Sequence, residues 1–330
     1  MRIVRNFLKI QLLVIVVAVF FISCLENEQE KWIAEHDQRM EEMKDTYGFT
    51  ESDTLPGGSG VYIKYSIKTD STRKATVNDM VVIDYVGTNY NGDIFDVSRL
   101  SVAESEDIYD DEFIYGPARF YVYNLFWGFQ FAIPDMPIGS KAKILVPGNL
   151  WDGGYYPVLY EIELHQIIED VESYNEGMIS RYLDSLDMTI DDTIPGFDGI
   201  WVKDFDKRLP DDSLVYGDTI VVRLHGYYAE ADDAYVKDFP GRQFFPIAGS
   251  GDSVIFHFGS YGDDIFPYTR AVNEAIKYME IDETIDMVTR DEYGYDESGF
   301  HHPYTGNYIV PADMPLHYTI ELLYIGKTLK

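Results

Sequence analysis

Asn78-Asp-Met-Val-Val-Ile-Asp-Tyr-Val-Gly-Thr-Asn-Tyr-Asn-Gly-Asp-Ile-Phe-Asp96 is a β-branched run that breaks at a Gly-punctuated turn and then resumes as extended chain. Alternation in Val81-Val-Ile-Asp-Tyr85 predicts a strand, and Asn91-Gly92 predicts the tight turn that delivers Phe95 and Asp96. The chain says much of this again at Asp218-Thr-Ile-Val-Val-Arg-Leu-His-Gly-Tyr-Tyr-Ala229.

The repetition extends in both directions. Thr54-Leu-Pro-Gly-Gly-Ser-Gly-Val-Tyr-Ile-Lys64 aligns without a gap to Thr193-Ile-Pro-Gly-Phe-Asp-Gly-Ile-Trp-Val-Lys203. Ile133-Pro-Asp-Met-Pro-Ile-Gly139 matches Ile276-Lys-Tyr-Met-Glu-Ile-Asp282, and Tyr160-Glu-Ile-Glu-Leu164 matches Tyr318-Thr-Ile-Glu-Leu322. The spacing before the last pair is longer in the second copy, so that copy has gained residues late. Two copies of this length predict duplicated domains and not a solenoid. A chain of 330 residues is long enough for each copy to bury its own core.

Each copy opens with an amphipathic helix. Trp32, His36, Met40 and Met43 share one face in the first; Met178, Ile179, Tyr182, Leu183 and Leu186 do so in the second. Short helices fit Trp127 to Met136 and Ala271 to Met279. Strands dominate the rest, so the expected class is α+β. Each domain is expected to be an antiparallel sheet wrapped on a short helix and preceded by an amphipathic one. The expected divisions are a signal segment at 1–23, an acidic tether and helix at 24–53, a first domain at 54–170, a linking helix at 171–192 and a second domain at 193–330.

Charge narrows the function. Lys and Arg total 26 against 57 Asp and Glu, a formal net charge of -31. Such a surface repels phosphate backbones, which excludes duplex-binding roles. At the N-terminus, Arg2, Arg5 and Lys9 precede an apolar run from Ile10 to Ile22 that suits a signal h-region. The sole cysteine, Cys24, follows Phe21-Ile22-Ser23 and resembles the lipidated residue of a bacterial lipoprotein lipobox. Leu-Glu-Asn-Glu-Gln-Glu then resembles the acidic export tags of surface lipoproteins in Bacteroidetes-like bacteria. The resemblance implies an envelope location with a lipid anchor in the membrane. A single cysteine permits no internal disulfide.

Three ordered stretches carry a further resemblance: Tyr85-Val-Gly-Thr with Asn91-Gly-Asp-Ile-Phe-Asp96, Gly128-Phe-Gln-Phe-Ala-Ile-Pro-Asp-Met-Pro-Ile-Gly-Ser-Lys-Ala-Lys-Ile-Leu-Val-Pro147, and Val158-Leu-Tyr-Glu-Ile-Glu-Leu164. Together they resemble FKBP-type peptidyl-prolyl cis-trans isomerases, over about 61–168 and, with more drift, 200–326. The resemblance implies proline-containing segments of unfolded or extracytoplasmic proteins as partners, with no cofactor and no metal. It implies that Tyr85, Phe95, Phe120, Leu125, Phe126, Phe129 and Tyr160 line a pocket with Phe129 at its floor. Asp96 would be the polar group near the amide, and Trp151 would take the place of a hydrogen-bonding loop tyrosine. The loop from Pro147 to Tyr160 is too short to carry the family's Ile-Pro lip.

In the second copy Leu224 stands for Tyr85, Phe245 for Asp96 and Val272 for Phe129. A lip is present there at Tyr308-Ile-Val-Pro311. Phe244, Phe256, Tyr293, Ile309, Val310 and Tyr318 are expected to form an apolar groove that binds without strong catalysis. Three readings stay open: an isomerase acting through the first domain, a degenerate binding module, and a structural lipoprotein whose pockets are filled by their own side chains. His257, His301 and His302 match no metal-site spacing. Asp291-Glu-Tyr-Gly-Tyr-Asp-Glu297 does not follow a calcium loop. Asp107-Ile-Tyr-Asp-Asp-Glu112 is expected to be an acidic surface insertion.

Overall fold

The computed structural model describes residues 30–151, 154, 156–203, 214–230, 242–246, 251–259, 267–301 and 308–327. The segment expected to be a signal, Cys24 and the first residues of the expected acidic tether lie outside the described residues. Among the described residues no helix is long and apolar enough to cross a membrane.

The fold is α+β, with two six-stranded antiparallel sheets. In the first unit the strands are β1 (Tyr62–Ile67), β2 (Met80–Thr88), β3 (Ile94–Val97), β4 (Ala118–Tyr121), β5 (Lys141–Val146) and β6 (Val158–Ile168). They lie in the order β1-β5-β6-β2-β3, and β4 also pairs with β2. The second unit has β7 (Ile200–Val202), β8 (Thr219–Tyr228), β9 (Gln243–Phe245), β10 (Ser253–His257), β11 (Thr284–Thr289) and β14 (Leu316–Gly326). A two-stranded ribbon, β12 (Phe300–His301) with β13 (Tyr308–Val310), stands apart. The second large sheet runs β10-β8-β14-β11-β7 with β9 also on β8. Strand for strand this is the first order again, with β8 in the role of β2 and β14 in that of β6.

Strand β2 explains its own composition. Val81, Ile83 and Tyr85 face the inner core, and Met80, Val82 and Val86 face outward into separate apolar clusters. A strand covered on both faces is hydrophobic almost without interruption. Asp84 is the exception, and its carboxylate is met by the Ser98 hydroxyl at 2.8 Å and by His165 Nε2 at 2.9 Å.

The inner face packs on α3 (Trp127–Ala132), which continues as a 3-10 turn over Ile133–Asp135; the span expected to 136 is thus two short elements. Its counterpart α5 (Arg270–Ile276) buries Ala271, Val272, Ala275 and Ile276, and stops short of the expected Met279. On the outer face lies helix α1, residues 30–47. Met40 and Met43 pack there on Phe49, Leu145 and Leu159, whereas Trp32 is exposed, so the packed stripe covers only the later turns. A small helix, α2 (Leu100–Ser105), was not foreseen; its Ala103 packs on Val86 and Val97.

Helix α4 (Val171–Ser185) links the units. Asp170 caps it, accepting from the Ser173 backbone N–H at 3.0 Å and from its hydroxyl at 2.7 Å. Those bonds hold the Asp170 carboxyl below its ordinary range. The helix lays Met178, Ile179, Tyr182 and Leu183 on the outer face of the second sheet, against Trp201, Ala229 and Val288.

Leu145 is fully buried between α1 and the first sheet. Leu145→Ala is expected to destabilise the chain by about 2–5 kcal/mol, read as a lower urea midpoint.

Candidate functional site

The turn after β2 sets the site. The Asn89 side-chain oxygen accepts from the Asn91 and Asp93 backbone N–H groups at 2.9 and 3.0 Å, and Gly92 takes φ +92°, a conformation open to glycine at little cost. The returning strand β3 then pairs Asp96 with Gly87, while on the other side β6 pairs Tyr160 with the same Gly87. A Cβ on Gly87 would fall 2.8 Å from the Tyr160 ring and 3.2 Å from Asp96 Cβ. The glycine therefore lets the phenol ring lie across the strand. Its hydroxyl donates to Asp96 Oδ2 at 3.0 Å.

Tyr160 is the hub of an aromatic box. Its ring centroid lies 4.8 Å from Phe129, edge to face, 5.5 Å from Phe126, 5.9 Å from Phe95 and 6.3 Å from Tyr85. Phe126 and Phe129 sit 4.0 Å apart, Tyr85 lies 6.4 Å from Phe120, and Phe95 meets Trp151 edge-on at 5.3 Å. These rings enclose a cavity of ≈ 470 Å³, a size suited to a small apolar group. Phe129 forms the buried floor, and Phe95 is 40% exposed at the rim. Trp127, a residue able to plug such a space, is 62% exposed and does not line the cavity.

Among the described residues, Asp96 is the one carboxylate in the lining. Burial pushes its pKa up, and hydrogen bonds from Tyr160 and Tyr85 partly offset that push. Burial next to this carboxylate also drives both phenols far above their ordinary range. The Trp151 indole N–H, which can only donate, stands beside the Tyr160 hydroxyl and offsets a little of the upward push on it. Tyr160 in turn donates to Asp96, so a polar edge borders the aromatic floor. Such a site can hold an apolar ring and address a neighbouring amide; among the described residues its lining has no serine, threonine, cysteine or lysine.

The structure brings together at this cavity all nine first-unit residues singled out from sequence: Tyr85, Phe95, Asp96, Phe120, Leu125, Phe126, Phe129, Trp151 and Tyr160. Sequence reading missed Ile83, Phe113, Ile114, Ala118, Arg119 and Asn124 in the same lining. Phe113 and Ile114 end the acidic insertion, and that apolar pair after an acidic run is a signal that could have flagged them. Tyr228, Arg242 and Pro311 also line it, from the second unit, and no local pattern announces that.

The groove expected in the second unit needs correction. Phe244, Phe256, Ile309, Val310 and Tyr318 are buried members of that unit's core, and Tyr293 packs partly buried against it. Strand register shows why. Phe245 pairs with Gly226 as Asp96 pairs with Gly87, and Tyr318 pairs with Gly226 as Tyr160 does with Gly87. Here, however, the Phe244 ring lies over the glycine, 2.5 Å from where a Cβ would stand, and packs edge-on against Tyr318 at 5.7 Å. The second unit's own aromatic thus fills the space that stays open in the first.

Among the described residues, the His/Asp/Glu grouping compact enough for a metal is Asp84, Glu163 and His165, on the outer face. Its carboxylates are already met, Asp84 by His165 and Glu163 by Lys141 at 2.7 Å. His257 and His301 lie on exposed strand positions, and His302 lies outside the described residues.

No family model and no curated protein matches the chain. Among solved structures, it is similar to a peptidyl-prolyl cis-trans isomerase of Pseudomonas syringae pv. tomato, at 21% identity over 42% of this chain and 96% of that one, TM-score 0.32. It is similar to FkpA of Escherichia coli at 18% identity over 43% and 64% of the two chains, TM-score 0.33. It is similar to the three FKBP domains of wheat FKBP73 at 13% identity over 82% and 97%, TM-score 0.28.

Because the folded-state pKa of Asp96 is raised, its contribution to stability is fully present below the ordinary carboxylate pKa and is lost as pH rises through the raised value. Asp96→Asn is expected to remove that decline. Urea unfolding of both proteins across the acid to neutral range checks it; parallel curves would contradict a raised pKa.

Proposed function

We propose that the first-unit cavity takes the proline ring of a peptide segment and speeds its cis-trans isomerisation, so that the protein acts as a folding helper. The observation that carries this reading is an open aromatic box built on Phe129 and Tyr160, with one partly buried carboxylate at its edge. Rotation about an X-Pro bond must pass a twisted amide over a barrier of about 18–20 kcal/mol. Twisting breaks amide resonance and needs neither nucleophile nor metal. A dry aromatic floor grips the ring and strips water from the carbonyl, which disfavours the planar, resonance-stabilised amide. The polar edge of Trp151, Tyr160 and Asp96 is fixed before the substrate arrives, so it costs no reorganisation during the twist. Proline isomerisation takes about 10–100 s uncatalysed at 25 °C, slow enough to limit folding.

The same proposal includes the setting. Residues 1–24 support a lipid-anchored protein of the bacterial envelope on the periplasmic or surface face, with extracytoplasmic proteins as clients. Turnover in the second unit is disfavoured by its missing carboxylate and binding there by its filled core, so the second reading, binding of prolyl segments without turnover, also falls on the first-unit cavity.

A protease-coupled or fluorescence assay with a proline tetrapeptide tests the activity. The wild-type chain should raise the isomerisation rate above buffer. Phe129→Ala and Asp96→Ala should each lower kcat/KM by about tenfold, a loss of about 1.4 kcal/mol at the transition state. No excess rate in the wild type would leave binding alone. Metabolic labelling with palmitate in a bacterial host should mark the wild type and fail in Cys24→Ser.

A further inference from the structure

The cavity has a wall that the first unit does not make. After β5 the chain turns back on itself at once: a Cβ on Gly148 would fall 2.6 Å from Tyr156 N and 2.7 Å from Gly154 O. Of the described residues of this tight loop, Trp151 alone lines the cavity. The open side is instead lined by Tyr228, Arg242 and Pro311 of the second unit.

Their own unit holds Tyr228 and Pro311, and it holds Arg242 together with a bond from Arg242 to the Tyr115 carbonyl of the first unit at 3.5 Å. The Tyr228 hydroxyl donates to the Ile309 carbonyl at 2.5 Å, and its ring stacks on Phe244 at 5.8 Å. The Arg242 guanidinium lies over the Tyr228 ring at 5.2 Å and donates to both Glu230 oxygens, at 2.7 and 3.1 Å. Pro311 directly follows Ile309 and Val310, which are anchored in the second core. The units are also tied together beside the cavity. Tyr121 donates to Asp313 Oδ2 at 2.5 Å, Asn175 donates to the Asp313 carbonyl at 2.7 Å, and Ile114 packs against the second unit's core. With this wall in place a cavity of ≈ 470 Å³ remains, so the second unit borders the space without plugging it.

We propose that the prolyl-segment site is composite, with the floor and carboxylate from the first unit and a recognition wall of Tyr228, Arg242 and Pro311 from the second. This deepens the proposed function and rests on it. The lip that sequence placed in the second unit then serves the pocket of the first. The residues beside the proline of a bound segment pass along Arg242 and Pro311, so substrate selection resides in the unit that carries no pocket carboxylate.

The test is binding of a fluorescently labelled proline tetrapeptide to the full chain, by anisotropy. Pro311→Ala and Arg242→Met are wall variants and Phe129→Ala a floor variant, with the melting temperature of each recorded. Pro311→Ala cuts no side-chain hydrogen bond, so it keeps the test clean if Arg242→Met lowers the melting temperature. A composite site predicts that Pro311→Ala, at unchanged melting temperature, weakens binding by about fivefold or more, and that Arg242→Met does likewise. Binding that is lost in Phe129→Ala but equal to wild type in both wall variants overturns the composite wall and leaves the proposed function standing. Tighter binding in the wall variants overturns it too, because the second unit would then be a cover. No binding by the wild-type chain overturns both readings together.

Discussion

One hydrogen bond across a glycine organises this protein. Tyr160 reaches Asp96 only because Gly87, between them in the sheet, presents no side chain to either. From that bond follow the position of the phenol ring and the box of aromatics around it, and the bond partly offsets the upward push that burial gives the carboxylate's pKa. Each of the three comes from a different strand, so the sheet must be in register before the site exists. The continuous apolar character of β2 serves the same end, since burial on both faces leaves that register no alternative.

The second unit tests this by natural substitution. Its sheet keeps the strand order and the register around Gly226. With Phe245 in place of a carboxylate, no carboxylate stands there to accept from the Tyr318 hydroxyl, which among the described residues is buried without a hydrogen-bond partner. With Val272 in place of Phe129, the floor shrinks. The vacated space is filled by Phe244, whose first-unit counterpart Phe95 stays at a solvent-facing rim. A core at crystalline density does not tolerate a void of that size, so loss of the large floor residue and capture of the neighbouring ring belong to one event.

Much of this was legible in the chain because it is local. Strand alternation, the Asn-Gly turn and the paired windows of the repeat depend on residues a few positions apart, and the nine first-unit side chains were reached through the family resemblance that three such stretches carry in order. What escaped the sequence is what depends on how the two units meet. Nothing in the neighbourhood of Pro311 tells whether it closes its own pocket or another. Arg119, which the sequence reading passed over, is buried, held by the Asn175 amide oxygen at 3.1 Å and by the sulfurs of Met80 and Met314. Phe244 was expected to line a groove because composition does not reveal whether an aromatic leaves space or fills it.

Asn175 has a consequence that reaches beyond packing. Its side-chain oxygen accepts from Arg119 of one unit while its nitrogen donates to the Asp313 carbonyl of the other, and the amide is buried between them. An amide spent at both ends fixes angle as well as distance. Rotating one unit against the other by even part of a turn strands a buried donor and a buried acceptor, each at about 1–3 kcal/mol. The junction therefore resists rotation as well as separation, and Asn175 of helix α4 does this together with the Tyr121–Asp313 bond.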